Sequence, residues 1–194
     1  MILLTSTGPV LGDAIRDGVA SYGEAVRSVL TGSAIEAVVA AWGCEAIVYA
    51  AGASMLDAQL RPRPAADRAR NVLHAAAMPG VKLIVGVMPT GEAYAGEEEM
   101  LEGGDVPTVI LRCAPLIEEV EAAGKREWLR DGSRVTTGAM LATTVARALR
   151  DATWQGRKVE VPTIYADGAR LTARARPRLS VPSPGDLPAL AWVA

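Results

Sequence analysis

The side chains able to do chemistry are few and unevenly spread. His74 is the sole histidine, and Cys44 and Cys113, the two cysteines, stand far apart in apolar sequence. A zinc site needs several converging N or S ligands, so no metal is expected. Both cysteines read as small core hydrophobes, and His74, between Leu73 and Ala75, as a surface or boundary residue. Glu97-Glu98-Glu99 and Glu102 form the densest group of carboxylates. Paired carboxylates can serve as acid and base, but an acidic run on a helix is more often a solvated face. Arg61, Arg63, Arg68 and Arg70, and again Arg170, Arg174, Arg176 and Arg178, suit a phosphate or an acidic partner as well as a solvated surface. Thr5-Ser6-Thr7-Gly8-Pro9 is a turn rich in hydroxyls that directly follows a short apolar run.

The chain that must position these groups has 194 residues, half of them hydrophobic, with 22% charged and a net charge of -2. That suits one globular domain with a full core and gives no basic field, so neither nucleic acid nor an anionic membrane is an expected partner. Arg, Asp or Glu interrupts every apolar stretch before the roughly 18 residues of a membrane span. Met1-Ile-Leu-Leu runs straight into Thr5 without a basic leader, and a cytoplasmic protein is expected. Phenylalanine is absent, and only Lys82, Lys125 and Lys158 among the 20 basic residues are lysines. Small aliphatic side chains, alanine above all, must therefore build close helix-on-sheet layers.

Periodicity supplies the elements. Ile2–Thr5 reads as a strand, and after a turn Gly12-Asp-Ala-Ile-Arg opens a helix with Leu11, Ile15 and Val19 on one face. Ala25–Leu30 reads as a second strand, and Ser33 to Glu36 as a capping box opening a helix with Ile35, Val38, Val39 and Trp42 at helical spacing. Ala46–Ala51, closed by Gly52, is a continuous apolar run of the kind buried on both faces in a central parallel strand. Arg61-Pro-Arg-Pro64 delays the next helix, whose apolar stripe is Ala65, Ala69, Val72, Leu73 and Ala76. Strands at Val81–Val87 and Thr108–Arg112 flank an acidic helix over Glu92–Glu102. Thr136 or Thr137 can cap a helix carrying Leu141, Val145 and Leu149. This alternation predicts an α/β fold, a Rossmann-like doubly wound parallel sheet with helices on both faces in three layers. Residues 1–155 form that domain, and 156–194 add an edge strand at Lys158–Val161 and a Pro/Arg-rich tail.

Four stretches, in order and spacing, resemble the short-chain dehydrogenase/reductase superfamily, in particular its atypical NmrA-like members related to NAD-dependent epimerases. They are Ile2–Gly12, Glu45–Gly52, Asn71–Val87, which is similar to the family's NVLxAAxxxGVKxxVxV pattern, and Val106–Pro115, similar to LxxTILRPG. The resemblance covers residues 1–150 and implies NAD or NADP as cofactor. The family's TGxxGxxG turn lets the backbone approach a pyrophosphate. Here Thr5 matches its threonine, while Ser6, Pro9 and Gly12 stand at the three glycine positions. Ser6 offers a hydroxyl, Pro9 lacks an N–H, Gly8 gives freedom one residue earlier, and Gly12 retains the packing role. With Thr7 they form the implied cradle. At the end of the second strand, Thr31 and its neighbours supply hydroxyls instead of the family's acidic residue, and Arg27 within that strand leaves NADP open. The Ala51-Gly52 turn, which lines the adenosine side in relatives, is retained and with Met88 completes the implied cofactor site, while Gly52, Met88 and Ala114 mark strand ends that would line a compact substrate site.

The family's catalytic pair is a tyrosine and a lysine four residues apart, with a Ser or Thr nearby. Thr90 and Tyr94 stand where these are sought, but no lysine lies between Lys82 and Lys125. In one register Glu98 replaces the lysine; in the other Tyr94 itself does. Three functions follow from the resemblance: a reductase or isomerase acting on a small carbonyl substrate, a non-catalytic dinucleotide sensor, or a pseudoenzyme serving as scaffold or subunit. A homodimer, as in many relatives, or a heteromeric protein partner is implied on the same ground.

Overall fold

In the computed structural model the chain runs β1 (Ile2–Thr5), α1 (Pro9–Ser21), β2 (Val26–Val29), α2 (Ala34–Ala41), β3 (Ala46–Ala50), α3 (Met55–Leu60), α4 (Ala66–Ala76) and β4 (Leu83–Pro89). It continues through a 3-10 turn (Glu92–Tyr94), α5 (Ala95–Glu102), β5 (Thr108–Cys113), α6 (Ile117–Ala122), β6 (Arg134–Val135) and α7 (Gly138–Arg150). A second 3-10 turn (Ala152–Trp154), β7 (Lys158–Glu160) and β8 (Ile164–Tyr165) complete it. The structure describes residues 1–5, 8–21, 23, 25–29, 33–62, 66–124 and 132–165. Ser6, Thr7, Thr31, Arg63 and the arginines of the tail lie outside the described residues.

The sheet has six strands in the order β2-β1-β3-β4-β5-β7, every neighbouring pair parallel. Alternation along each strand divides the core. Leu4, Val48, Val85 and Leu111 meet Leu11 and Ile15 of α1 and Leu141 and Val145 of α7 on one face. Leu3, Ile47, Ile84 and Ile110 meet α2, α4 and α5 on the other, where Ala37, Ala40, Ala41, Ala69 and Ala75 are buried. Alanine lets these helices approach closely, as a chain without phenylalanine requires. Cys44 and Cys113 are both core residues, and His74 is exposed.

The chain leaves β1 for β2 on one side and reaches β3 on the other, so the crevice at the carboxyl ends of β1 and β3 is the topological switch point. Near that end of the sheet lies a third apolar cluster of Leu56, Leu60, Ile117, Val120, Val135 and Ile164, drawn from α3, α6 and the small antiparallel pair β6-β8. Helices α3 and α6 and this pair are absent from the sequence reading, because six-residue helices and two-residue strands carry no periodic signal.

Two expectations are corrected. Helix α1 begins at Pro9 instead of Gly12: proline fits the first helical position, where its missing N–H has no partner to lose. Helix α2 is capped by Ser33, whose hydroxyl accepts the Glu36 N–H at 3.3 Å. Its large apolar side chains do not face the core, however. Ile35, Val39 and Trp42 are 77%, 67% and 71% exposed, while its alanines are buried.

Candidate functional site

The switch-point crevice is built by the turns that follow β1 and β3. Thr5 ends β1 between Val29 and Tyr49 of the neighbouring strands, and is fully buried. Its Oγ1 has no hydrogen-bond partner. Beyond it, Gly8 donates its N–H to the Ala53 carbonyl at 2.9 Å, tying the first turn to the third strand's turn. A Cβ at residue 8 would lie 2.5 Å from that oxygen, so only glycine fits. The next residue, Pro9, opens α1 and withdraws one N–H from its first turn, and Gly12 donates to the Gly8 carbonyl at 2.8 Å from a buried position. The backbone donors of the first turn are thus partly consumed within the fold.

The Ala51–Ala53 side is tightly packed. Ala51 is buried, and its carbonyl accepts Arg68 Nη2 at 3.1 Å, while the buried Arg68 Nε has no partner. A Cβ on Gly52 would lie 3.1 Å from the Ala58 Cβ, so the absence of a side chain there serves the close packing of α3. Met88 is wholly buried in the core beside α4 and α5 and does not line an open strand end.

Thr90 and Tyr94 follow β4. Thr90 is half-buried and donates its N–H to the Cys113 carbonyl at 3.2 Å. Tyr94 is 3% exposed, and its hydroxyl donates to the Ala58 carbonyl at 3.4 Å, beneath α3. This is the packing of a core tyrosine, not of a proton donor facing a substrate.

The acidic run is divided: Glu99 and Glu102 are exposed, as on a solvated face, and the other two are not. Glu97 and Glu98 are both buried. Tyr49, near the carboxyl end of β3, donates its hydroxyl to Glu97 Oε2 at 2.6 Å, and burial, then this bond, push the phenol well above its ordinary pKa. Glu98 accepts Arg112 Nε at 3.1 Å and Nη2 at 2.8 Å, and Lys158 Nζ at 2.9 Å. Burial raises its pKa, but these cations outweigh burial and hold it below the usual carboxylate range. Glu98 therefore clamps α5 to β5 and β7 and takes no lysine's part beside Tyr94. The signal in the sequence was Arg112 in an otherwise apolar strand, with Lys158 isolated from other lysines.

Two further carboxylates escaped the sequence reading. Glu119 of α6 accepts the N–H groups of Met55 at 3.0 Å and Leu56 at 2.9 Å, fastening the start of α3. Burial raises its pKa although these backbone bonds oppose the rise. Glu118 accepts the Gly138 N–H at the start of α7 at 3.1 Å. Arg27, which left NADP open, donates Nη1 to the carbonyls of Ala40 at 2.9 Å and Trp42 at 3.1 Å. It closes the carboxyl end of α2, at the amino end of the sheet and so on the opposite side from the crevice. Cys113 is fully buried, which raises its thiol pKa and makes it a poor nucleophile.

Among the described residues no helix is long and apolar enough to cross a membrane, and no group of three His, Cys, Asp or Glu is placed to hold a metal ion. No family model matches the sequence, and no curated protein matches it significantly. Solved structures do match. An NADPH-dependent quinone oxidoreductase from Escherichia coli, complexed with NADPH, superposes with a TM-score of 0.60 at 20% identity over 84% of this chain and 69% of its own. The triphenylmethane reductase of a Citrobacter species, complexed with NADP(H), gives 0.61 at 16% identity over 89% of this chain and 75% of that one. A short-chain dehydrogenase/reductase from Veillonella parvula, in complex with NADP, gives 0.56 at 10% identity over 86% and 97%. At these identities the likeness is one of architecture: the chain has the Rossmann-like fold that these NADP(H)-bound enzymes share, the fold that its sequence resemblance implies.

Proposed function

We propose that this chain binds a nicotinamide dinucleotide, NAD or NADP, at the carboxyl ends of β1 and β3, and does so without a Tyr-Lys proton relay. Thr5 carries the reading. A buried hydroxyl without a partner costs about 1–3 kcal/mol, and Thr5 bears that cost at the end of β1, beside the switch point. A phosphate or ribose oxygen entering the crevice would accept from it. The N-terminus of α1 adds a favourable dipole for the pyrophosphate. With Gly8 N–H engaged and Pro9 lacking one, the Thr5 hydroxyl and that dipole, with Ser6 beside them in sequence, are the groups left to hold the phosphates. The NADPH-linked reductases that share the fold support the choice of ligand.

When bound, such a group supplies hydride transfer. This chain's own residues supply binding and exclusion of water, while Tyr94 is sealed under α3 and Glu98 is held by Arg112 and Lys158. Binding without rapid turnover is the expected behaviour. A second reading, a protein-binding body that takes no nucleotide, draws on the Gly8–Ala53 bond, which already closes part of the crevice. Calorimetric titration with NADPH and NADH separates them. Micromolar affinity, about -8 kcal/mol, with no oxidation of the nucleotide by a panel of small carbonyl compounds supports the first. Absence of heat at millimolar nucleotide supports the second, and rapid oxidation would make the protein a reductase with a different proton donor.

A further inference from the structure

We propose that Arg68 receives the adenosine 2′-phosphate of the dinucleotide and so makes the crevice prefer NADP(H) to NAD(H). The inference rests on the dinucleotide reading above and adds to it the residue that chooses between the two cofactors. Among the described residues two buried side-chain polar atoms have no hydrogen-bond partner, Thr5 Oγ1 and Arg68 Nε. They flank one crevice. Thr5 stands opposite Tyr49 across the β1-β3 ladder, and Arg68 Nη2 is bonded to the carbonyl of Ala51, two residues beyond Tyr49. Alternation along the strands sets Thr5 with Leu3, and Ala51 with Tyr49, on the face of the sheet that α2, α4 and α5 cover. One strand spacing and two residues of rise separate Thr5 from Ala51 by about 8 Å, a distance that one ribose spans between its 5′-phosphate and its 2′-phosphate.

Arg68 is held at a cost that an anion relieves. It is half-buried in the first turn of α4, where a cation opposes the helix dipole. Arg16, Arg70, Arg112 and Arg147 each have a carboxylate partner, and no described carboxylate forms an ion pair with Arg68. Its bond to the Ala51 carbonyl fixes the guanidinium at the end of β3 and leaves the rest of the fork to a ligand. Such a fork suits phosphate, which takes two parallel N–H bonds at once. The other arginines near it in sequence are placed otherwise: Arg70 pairs with Asp67 on the exposed face of α4, and Arg61 lies exposed at the end of α3. A nicotinamide dinucleotide carries its negative charge on the pyrophosphate and, in NADP(H) alone, on the 2′-phosphate. With the pyrophosphate at Thr5 and the start of α1, Arg68 across the crevice is left to the second group.

Calorimetric titration of the full chain with NADPH and with NADH tests this alongside Arg68→Gln, which keeps a donor for the Ala51 carbonyl and removes the charge. The wild type is expected to bind NADPH about tenfold to a hundredfold more tightly than NADH, the worth of a hydrogen bond to a charged group. In Arg68→Gln the NADPH affinity is expected to fall to that of NADH, with the NADH affinity unchanged. A merely structural role would weaken both alike. Should Arg68→Gln fail to fold, Arg68→Lys takes its place: it keeps the charge without the fork and is expected to reduce the preference several-fold without abolishing it. Equal affinities in the wild type, an equal loss of both in a folded variant, or a preference that survives the substitution unchanged overturns the assignment of Arg68 and leaves the dinucleotide reading standing. No binding of either nucleotide at millimolar concentration overturns both.

Discussion

The backbone N–H of Gly8 lies 2.9 Å from the carbonyl oxygen of Ala53, so the turn after β1 and the turn after β3 are joined above the crevice where their strands diverge. In a doubly wound sheet that crevice is where ligands bind. One residue away, Pro9 has no N–H, and at the floor Thr5 has a hydroxyl without a partner. Among the described residues of this turn, one backbone N–H is thus engaged and one is missing, while a side-chain donor stays unused.

Gly8→Ala sets a methyl group against the Ala53 carbonyl, where its Cβ would lie at 2.5 Å. One turn must move away. Overpacking of this kind costs about 1–3 kcal/mol, and thermal unfolding should show a midpoint several degrees lower. An unchanged midpoint would mean that the two turns are not held together in solution.

Glu98→Gln removes the charge that Arg112 and Lys158 share. Glu98 is inaccessible while both cations are about one-third exposed, so solvent moderates the loss to about 1–3 kcal/mol. The pH dependence has a definite sign. The pKa of Glu98 is lower in the fold than its ordinary value of 4.5, so its contribution is complete above that pH and is lost as pH falls through the folded value. Wild type and Glu98→Gln should therefore differ in urea stability at pH 7 and converge in acid; a constant gap down to strongly acidic pH would contradict the clamp.

Glu119→Gln leaves one carboxamide oxygen where two carboxylate oxygens accept the Met55 and Leu56 N–H groups. One buried donor loses its acceptor, at about 1–3 kcal/mol. Hydrogen exchange should accelerate first at those two amides, as α3 loosens from α6, with the sheet amides protected. Uniform acceleration throughout would show instead that α3 and the sheet open as one unit.

Tyr94→Phe deletes a hydroxyl whose bond to the Ala58 carbonyl is long, at 3.4 Å. Stability is expected to change by less than about 1 kcal/mol, and any reductase turnover to change only modestly. A drop of several orders of magnitude in kcat would restore Tyr94 as the proton donor.

Arg27→Ala should fray the end of α2 and lower stability without altering the ratio of NADPH to NADH affinity. Its guanidinium is committed to the Ala40 and Trp42 carbonyls, away from the crevice. A selective loss of NADPH binding would return it to the neighbourhood of the 2′-phosphate.

The layers were legible because Leu11, Ile15 and Val19 keep a helical period and Ala46–Ala51 is apolar throughout, and the alternation of strands with helices implied a parallel sheet, though not its strand order. The inward face of α2 was not, since Ile35, Val39 and Trp42 look like a core stripe and only the alanines' packing against α4 shows otherwise. Thr5, Gly8 and Gly12 stand in the turn that the family resemblance marks as the cradle. What Gly8 and Gly52 are for depends on Ala53 and Ala58, partners that spacing does not reveal. The burial of three carboxylates was hidden for the same reason. Glu97, Glu98 and Glu119 are buried because Tyr49, Arg112, Lys158 and two backbone N–H groups reach them from distant segments.

The claim that the crevice takes a dinucleotide is tested most directly by calorimetric titration of NADPH into the wild type and Thr5→Val, with the thermal midpoint of each free protein measured alongside. Thr5→Val removes the unpartnered hydroxyl without changing shape. The midpoint is predicted to stay level or rise, because no internal bond is lost, while NADPH affinity falls about tenfold, the worth of one hydrogen bond to a charged group. Equal affinity in the two proteins, or no binding to either at millimolar nucleotide, would contradict the account.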